Sequence, residues 1–156
     1  MKCHLFLLFL VLRSVSFAQT NQFFERYTTD YEKQVLNDVN ASLFELFMIS
    51  DSSCSKQKTA DAKKQFDVFI NELKASKIMK QSEEKIIKAL HKQVHEQFLT
   101  RYRALIDFNE IFVTGEYNCV SSTALFALVL EELGIPYYVQ EQPGHVLIMA
   151  YPNTKN

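Results

Sequence analysis

The 156-residue chain has no tryptophan, and it holds only three glycines and three prolines. All six of these lie between Gly115 and Pro152, so the first 114 residues contain neither type. Tight turns that need a positive φ or a fixed proline ring are therefore confined to the last quarter. Charge of one sign is also missing. The formal net charge is −1, with lysines scattered among glutamates, which leaves no basic footprint for nucleic acid. Cysteine is scarce at three residues, too few for a disulfide scaffold. The apolar run Leu5–Leu12 has eight residues, far short of the roughly 20 that cross a bilayer.

What is present describes an ordinary globular protein. Apolar residues make up 47% and charged residues 22%, which excludes global disorder, and the length suits one domain. The 13 phenylalanines fall mostly in helical patterns and read as core. The N-terminus reads as a targeting segment. Lys2 precedes the apolar run, and Ser16-Phe17-Ala18 offers small residues at the positions signal peptidase recognises. We expect a signal peptide over 1–18 with cleavage after Ala18, and a single domain over 19–156. The mature charge is then −3 after loss of Lys2 and Arg13. That places the protein outside the cytoplasm, secreted or in the periplasm or cell envelope, without stable membrane insertion once the signal is removed. An uncleaved N-terminal anchor is the alternative. The mature chain keeps Cys54 and Cys119, either bridged to each other or free.

Residues 19–105 read as helical. Phe24, Tyr27, Tyr31, Val35, Val39, Leu43, Leu46 and Phe47 recur at steps of three and four, which predicts one long amphipathic helix, or two in line, from Thr20 to about Ile49. Ser50–Ser55 is a polar break that puts Cys54 in a loop. A second helix is expected from Thr59 or Asp61 to Ile78, with Phe66, Phe69, Ile70 and Leu73 as its stripe. A third follows Ser82 as N-cap and runs to about Tyr102, or to Leu105, on Ile86, Ile87, Leu90, Val94 and Phe98. His91 and His95 are four apart on that helix, a spacing able to grip a metal. Lys92 stands where zinc peptidases carry a glutamate, and the pair reads as a solvated flank. No strand is visible before Glu110. The segment 104–113 reads as a connection, with at most a short strand.

The chemistry-bearing part is 106–156. Ala124, Leu125, Leu128, Val129 and Leu133, widened by Phe126 and Leu130, form a helix apolar on most of its circumference. Gly134 and Pro136 end it. Cys119 then stands at or just before the first turn, where free N–H groups and the helix dipole favour a thiolate and can hold an oxyanion. Ile135–Gln140 and His145–Tyr151 read as two strands that pair as a hairpin across Glu141–Gly144. His145, at the mouth of the second strand, is the residue available as base. A thiol and an imidazole so placed suit nucleophilic attack on an acyl carbon. Ser121 and Ser122 read as first-turn caps.

Asn118-Cys119-Val120-Ser121-Ser122, the apolar helix, Leu133-Gly134-Ile135-Pro136 and Pro143-Gly144-His145-Val146 together resemble the core of the transglutaminase-like superfamily, in its compact bacterial form. The resemblance covers about 35 of the 156 residues. It implies a papain-like α+β fold, with the helical part packed on a central helix and antiparallel strands. It also implies Cys119 as nucleophile and His145 as base, acting on a peptide or protein amide as hydrolase or acyl transferase, with no metal or cofactor. The family's third catalytic residue, an aspartate or asparagine, lies on a further strand. Here eleven residues follow His145, so the site reads as a dyad or as a truncated one. Asn153 is the nearest polar substitute, with Glu141 and Asp107 more remote. The tryptophan common near the family's oxyanion hole is missing. The alternative from another class is a non-catalytic secreted binding or envelope domain that retains the fold.

Overall fold

The computed structural model describes residues 29–152. The expected signal segment 1–18, the expected helical residues 20–28 and Asn153 lie outside the described residues. The fold is α+β: helices fill the first two thirds, and a central helix with an antiparallel hairpin fills the rest.

The first helical expectation divides in two. Helix α1 (Asp30–Asn37) and helix α2 (Leu43–Met48) each begin with a capping box, Thr29 with Glu32 and Ser42 with Glu45. Between them the Asp38 carboxylate accepts the Asn40 N–H at 2.9 Å. Short polar side chains at Asp38 and Ser42 thus offer the backbone partners that a continuous helix would otherwise supply. Val39, expected in the apolar stripe, is 97% exposed in this turn.

Helix α3 (Lys56–Ala75) starts earlier than expected, because the Ser55 hydroxyl accepts the Lys58 N–H. It ends at Ala75, where the Ser76 hydroxyl donates to the Leu73 carbonyl at 2.7 Å, and a 3-10 turn (Lys77–Lys80) follows. Helix α4 (Glu83–Phe98) buries Ile86, Leu90, Val94 and Phe98, as its periodicity predicts, but stops at Phe98 rather than Tyr102. Residues past it become a strand. Strand β1 (Arg101–Tyr102) pairs in parallel with strand β2 (Glu116–Tyr117), so a strand does precede Glu110. The connection between them holds a short helix, α5 (Glu110–Val113), where a strand had been allowed.

Gly115 shows why glycine is required there. Its carbonyl accepts from the N–H groups of Thr100 and Arg101, at 2.9 and 3.2 Å. Its φ is +73°, and a Cβ would stand 2.4 Å from the Thr100 hydroxyl. Helix α6 (Cys119–Glu132) follows β2, then strands β3 (Tyr137–Gln142) and β4 (His145–Ala150) form the expected hairpin. Its loop is Pro143-Gly144, with Gly144 at φ +74°, the residue pattern of a type II turn.

The core joins both parts. Phe44 of α2 contacts the rings of Phe66, Phe108 and Phe112 at centroid distances of 5.3, 6.1 and 5.4 Å. Phe98 contacts Phe69 and Phe112, at 5.1 and 5.4 Å. Leu125 and Val129 carry the inner face of α6 into the same cluster, and Ile148 and Ala150 of β4 pack on its margin. Among the described residues, no helix is long and apolar enough to cross a membrane.

Candidate thiol site at the start of helix α6

Asn118 builds the site. Its Oδ1 accepts the Ser121 N–H at 2.8 Å, and the Ser121 hydroxyl accepts the Asn118 N–H at 2.9 Å. Its Nδ2 donates to the carbonyls of Ala104 and Ile106, at 3.3 and 3.0 Å, which ties the loop before α5 to the helix start. The Ser122 hydroxyl donates to the Asn118 carbonyl at 2.7 Å. Ser121 and Ser122 therefore serve the helix cap, as their place in the first turn predicts.

Cys119 is the first residue of α6, half-buried, with a free thiol. Among the described residues, the N–H groups of Cys119 and Val120 meet no protein acceptor. These are two of the donors that every helix start leaves unpaired. The helix thus presents a thiol and two free donors at the positive end of its dipole. Cys54 is also free, buried in the loop before α3, with Sγ 3.3 Å from the Thr59 hydroxyl. The two thiols are not bridged.

β4 runs past this helix start. The Thr123 hydroxyl, one turn after Cys119, donates to the Val146 carbonyl at 3.4 Å. His145 is the neighbouring residue, exposed at the hairpin mouth and paired in register with Gln142. Side chains alternate across a strand. His145 consequently shares a hairpin face with Leu147 and Met149, whereas Ile148 and Ala150, on the opposite face, meet the core. No hydrogen bond among the described residues joins Cys119 to His145. The structure brings the histidine's strand to the thiol's helix and leaves the imidazole turned to solvent. Glu141 pairs with Val146 and so lies on the face opposite His145. Asp107 is exposed, adjacent to the Ile106 carbonyl that Asn118 holds.

His91 is exposed, as a solvated flank requires, whereas His95 is half-buried. Their rings lie 4.5 Å apart between centroids. His91 stacks on Phe126 of α6 at 6.0 Å and 16°, and His95 meets Tyr117 edge-on at 5.8 Å and 82°. Burial, then the nearby charge of His91, hold the His95 imidazole below its ordinary pKa, against a backbone hydrogen bond at Leu99. Phe126 lies seven residues after Cys119, almost two full turns, so both occupy one stripe of α6. In sequence Phe126 reads only as extra apolar width. Its role as a shelf for two imidazoles depends on how α4 and α6 pack.

The patch is bordered by a charged clamp. Glu116 is nearly buried, and its carboxylate accepts from both Arg101 and Arg103, the latter at 3.3 Å. Among the described residues no three or more His, Cys, Asp or Glu side chains converge as a metal cage. Comparison of the chain with protein-family models, with curated proteins and with solved structures finds no match.

Proposed function

We propose that this chain is an exported, transglutaminase-like protein that uses Cys119 for thiol-dependent acyl chemistry on amide bonds. The observation that carries the reading is the free thiol at the first position of α6, beside two unpaired backbone N–H groups. His145 takes the thiol proton, the sulfur attacks the amide carbonyl carbon and a carbon–sulfur bond forms. The carbonyl oxygen takes the negative charge and is received by the Cys119 and Val120 N–H groups. Collapse breaks the carbon–nitrogen bond, and His145 supplies the proton that the leaving amine needs. Water or a second amine then releases the acyl group from sulfur, returning the thiol. For this cycle His145 must turn from its exposed position toward Cys119, a movement located in the short Pro143-Gly144 hairpin tip.

The test is trapping of the acyl-enzyme. With an activated acyl donor such as a nitrophenyl ester, the mature protein is expected to gain one acyl mass on the Cys119 peptide. The adduct should be lost in Cys119→Ser and form more slowly in His145→Ala. An adduct that forms equally fast in His145→Ala would remove the base from the scheme. N-terminal sequencing of exported protein, expected to begin at Gln19, tests the export part.

The outward orientation of His145 favours a second reading, a secreted binding or envelope domain in which the thiol site is a remnant. On that reading Cys119→Ser leaves function unchanged and no adduct accumulates.

A further inference from the structure

We propose that His91 and His95 form a two-imidazole site for a late first-row divalent cation, with copper and nickel held more tightly than cobalt, on the flank of α4 facing Phe126 and Tyr117. The site is separate from the thiol chemistry and does not rest on it.

Residues four apart lie on one edge of a helix, about 6 Å apart along its axis. An imidazole nitrogen sits about 2.0–2.1 Å from a bound zinc, which puts the ring centre roughly 3.2 Å from the ion. Two such rings at roughly a right angle about one ion have centres about 4.5 Å apart, and about 5.2 Å at a tetrahedral angle. The observed separation is 4.5 Å. The ring spacing, at a 39° interplanar angle, is compatible with two imidazoles sharing an ion.

Both rings are also braced from outside α4. Phe126 supports the face of His91 and Tyr117 the edge of His95. Bracing reduces the rotamer freedom lost on chelation, which is the usual cost of a site built from surface side chains. The cations nearest along α4 have carboxylate partners of their own: Lys88 with Glu84, and Lys92 with Glu96 at 3.8 Å. Along α4 the lysine charges are thus balanced, and among the described residues the one excess cation nearby is in the Arg101–Glu116–Arg103 clamp. Nitrogen donors select the late transition metals over magnesium and calcium, and affinity among them follows the order that peaks at copper. With two protein ligands, the remaining coordination positions stay with water or an external donor, so the ion is exchangeable.

The experiment is titration of the full chain with copper, nickel, zinc and cobalt salts, followed by calorimetry, with the electron paramagnetic resonance spectrum of the copper form. The expected result is one ion per chain with Kd below about 100 µM for copper, and two imidazole nitrogens in the copper spectrum. His91→Ala and His95→Gln should each weaken binding at least about tenfold, while Glu96→Gln and Cys119→Ser leave it within about threefold. His91 is exposed, so its replacement leaves the fold intact. Saturable binding that survives His91→Ala, that disappears in Cys119→Ser, or that fails to appear below that concentration would overturn the proposal.

Discussion

The helical part and the hairpin solve the burial problem in different ways. Phe66, Leu73, Leu90 and Val94 of α3 and α4 are at most 2% exposed, and their rings and branches interlock with α2, α5 and α6. In the hairpin, Tyr138, Val139 and Met149 remain 43–46% exposed, and only one face rests on α6. The proposed nucleophile belongs to the first region through α6, and the proposed base belongs to the second. The proposal thus pairs a thiol on a buried helix with a histidine on an exposed hairpin. Such a division suits a site that closes on its substrate, because lightly buried segments open at the lowest free-energy cost.

Substitutions that separate the two regions should differ most in stability. Phe66→Ala is expected to cost about 3–5 kcal/mol in urea denaturation, since it leaves a cavity among Phe44 and its neighbours. Met149→Ala in the hairpin should stay within about 0.5 kcal/mol. Equal losses would erase the contrast. Gly115→Ala comes next, at about 1–3 kcal/mol, because it combines a left-handed φ with a side chain pushed against Thr100. Thr100→Gly should return part of that loss by removing the clash and leaving the backbone strain. Asn118→Ala should cost about 0.5–2 kcal/mol as a lost cap. It should also change the alkylation rate of Cys119, which a purely structural cap far from the thiol would not do.

The smallest expected effect concerns pH. The hydrogen bond from the Ser53 side chain, helped by the Ser53 N–H, the Asn109 amide and the Lys58 charge, holds Asp51 below its ordinary pKa of 3.8 against the opposing effect of burial. A carboxylate depressed in the folded state binds fewer protons there than in the unfolded chain, so its contribution rises with pH. It is present above about 3.8 and fades as pH falls through the folded value. The stability difference between the natural chain and Asp51→Asn should therefore shrink between pH 5 and pH 2 in urea titrations. A difference that stays constant would place the effect in packing with Asn109 instead.

Much of the architecture was legible because it repeats. The stripes of α3 and α4, and the apolar girth of α6, carry a 3.6-residue period that survives in any context. The hairpin was legible because Pro143-Gly144 suits only a tight turn. Other features had no such signal. Two-residue strands such as β1 and β2 hold no alternation, and their parallel pairing depends on Gly115 reaching Thr100 across fifteen residues. The break at Asp38 was hidden by apolar residues on both sides, although Asp38 and Ser42 are the capping types that cause it. At the thiol site, sequence located Cys119 at its helix start but not the direction of His145. Val146, Ile148 and Ala150 on one face are as apolar as Leu147 and Met149 on the other, so only packing decides which face meets α6.

The central claim is that the start of α6 makes Cys119 a nucleophile and that His145 joins it. The most direct measurement is the rate of Cys119 alkylation by iodoacetamide at neutral pH, with and without His145→Ala. Alkylation is expected to run at least about tenfold faster than that of an unstructured cysteine peptide, and to fall toward it in His145→Ala. Equal rates in the natural chain, the variant and the peptide would contradict the claim.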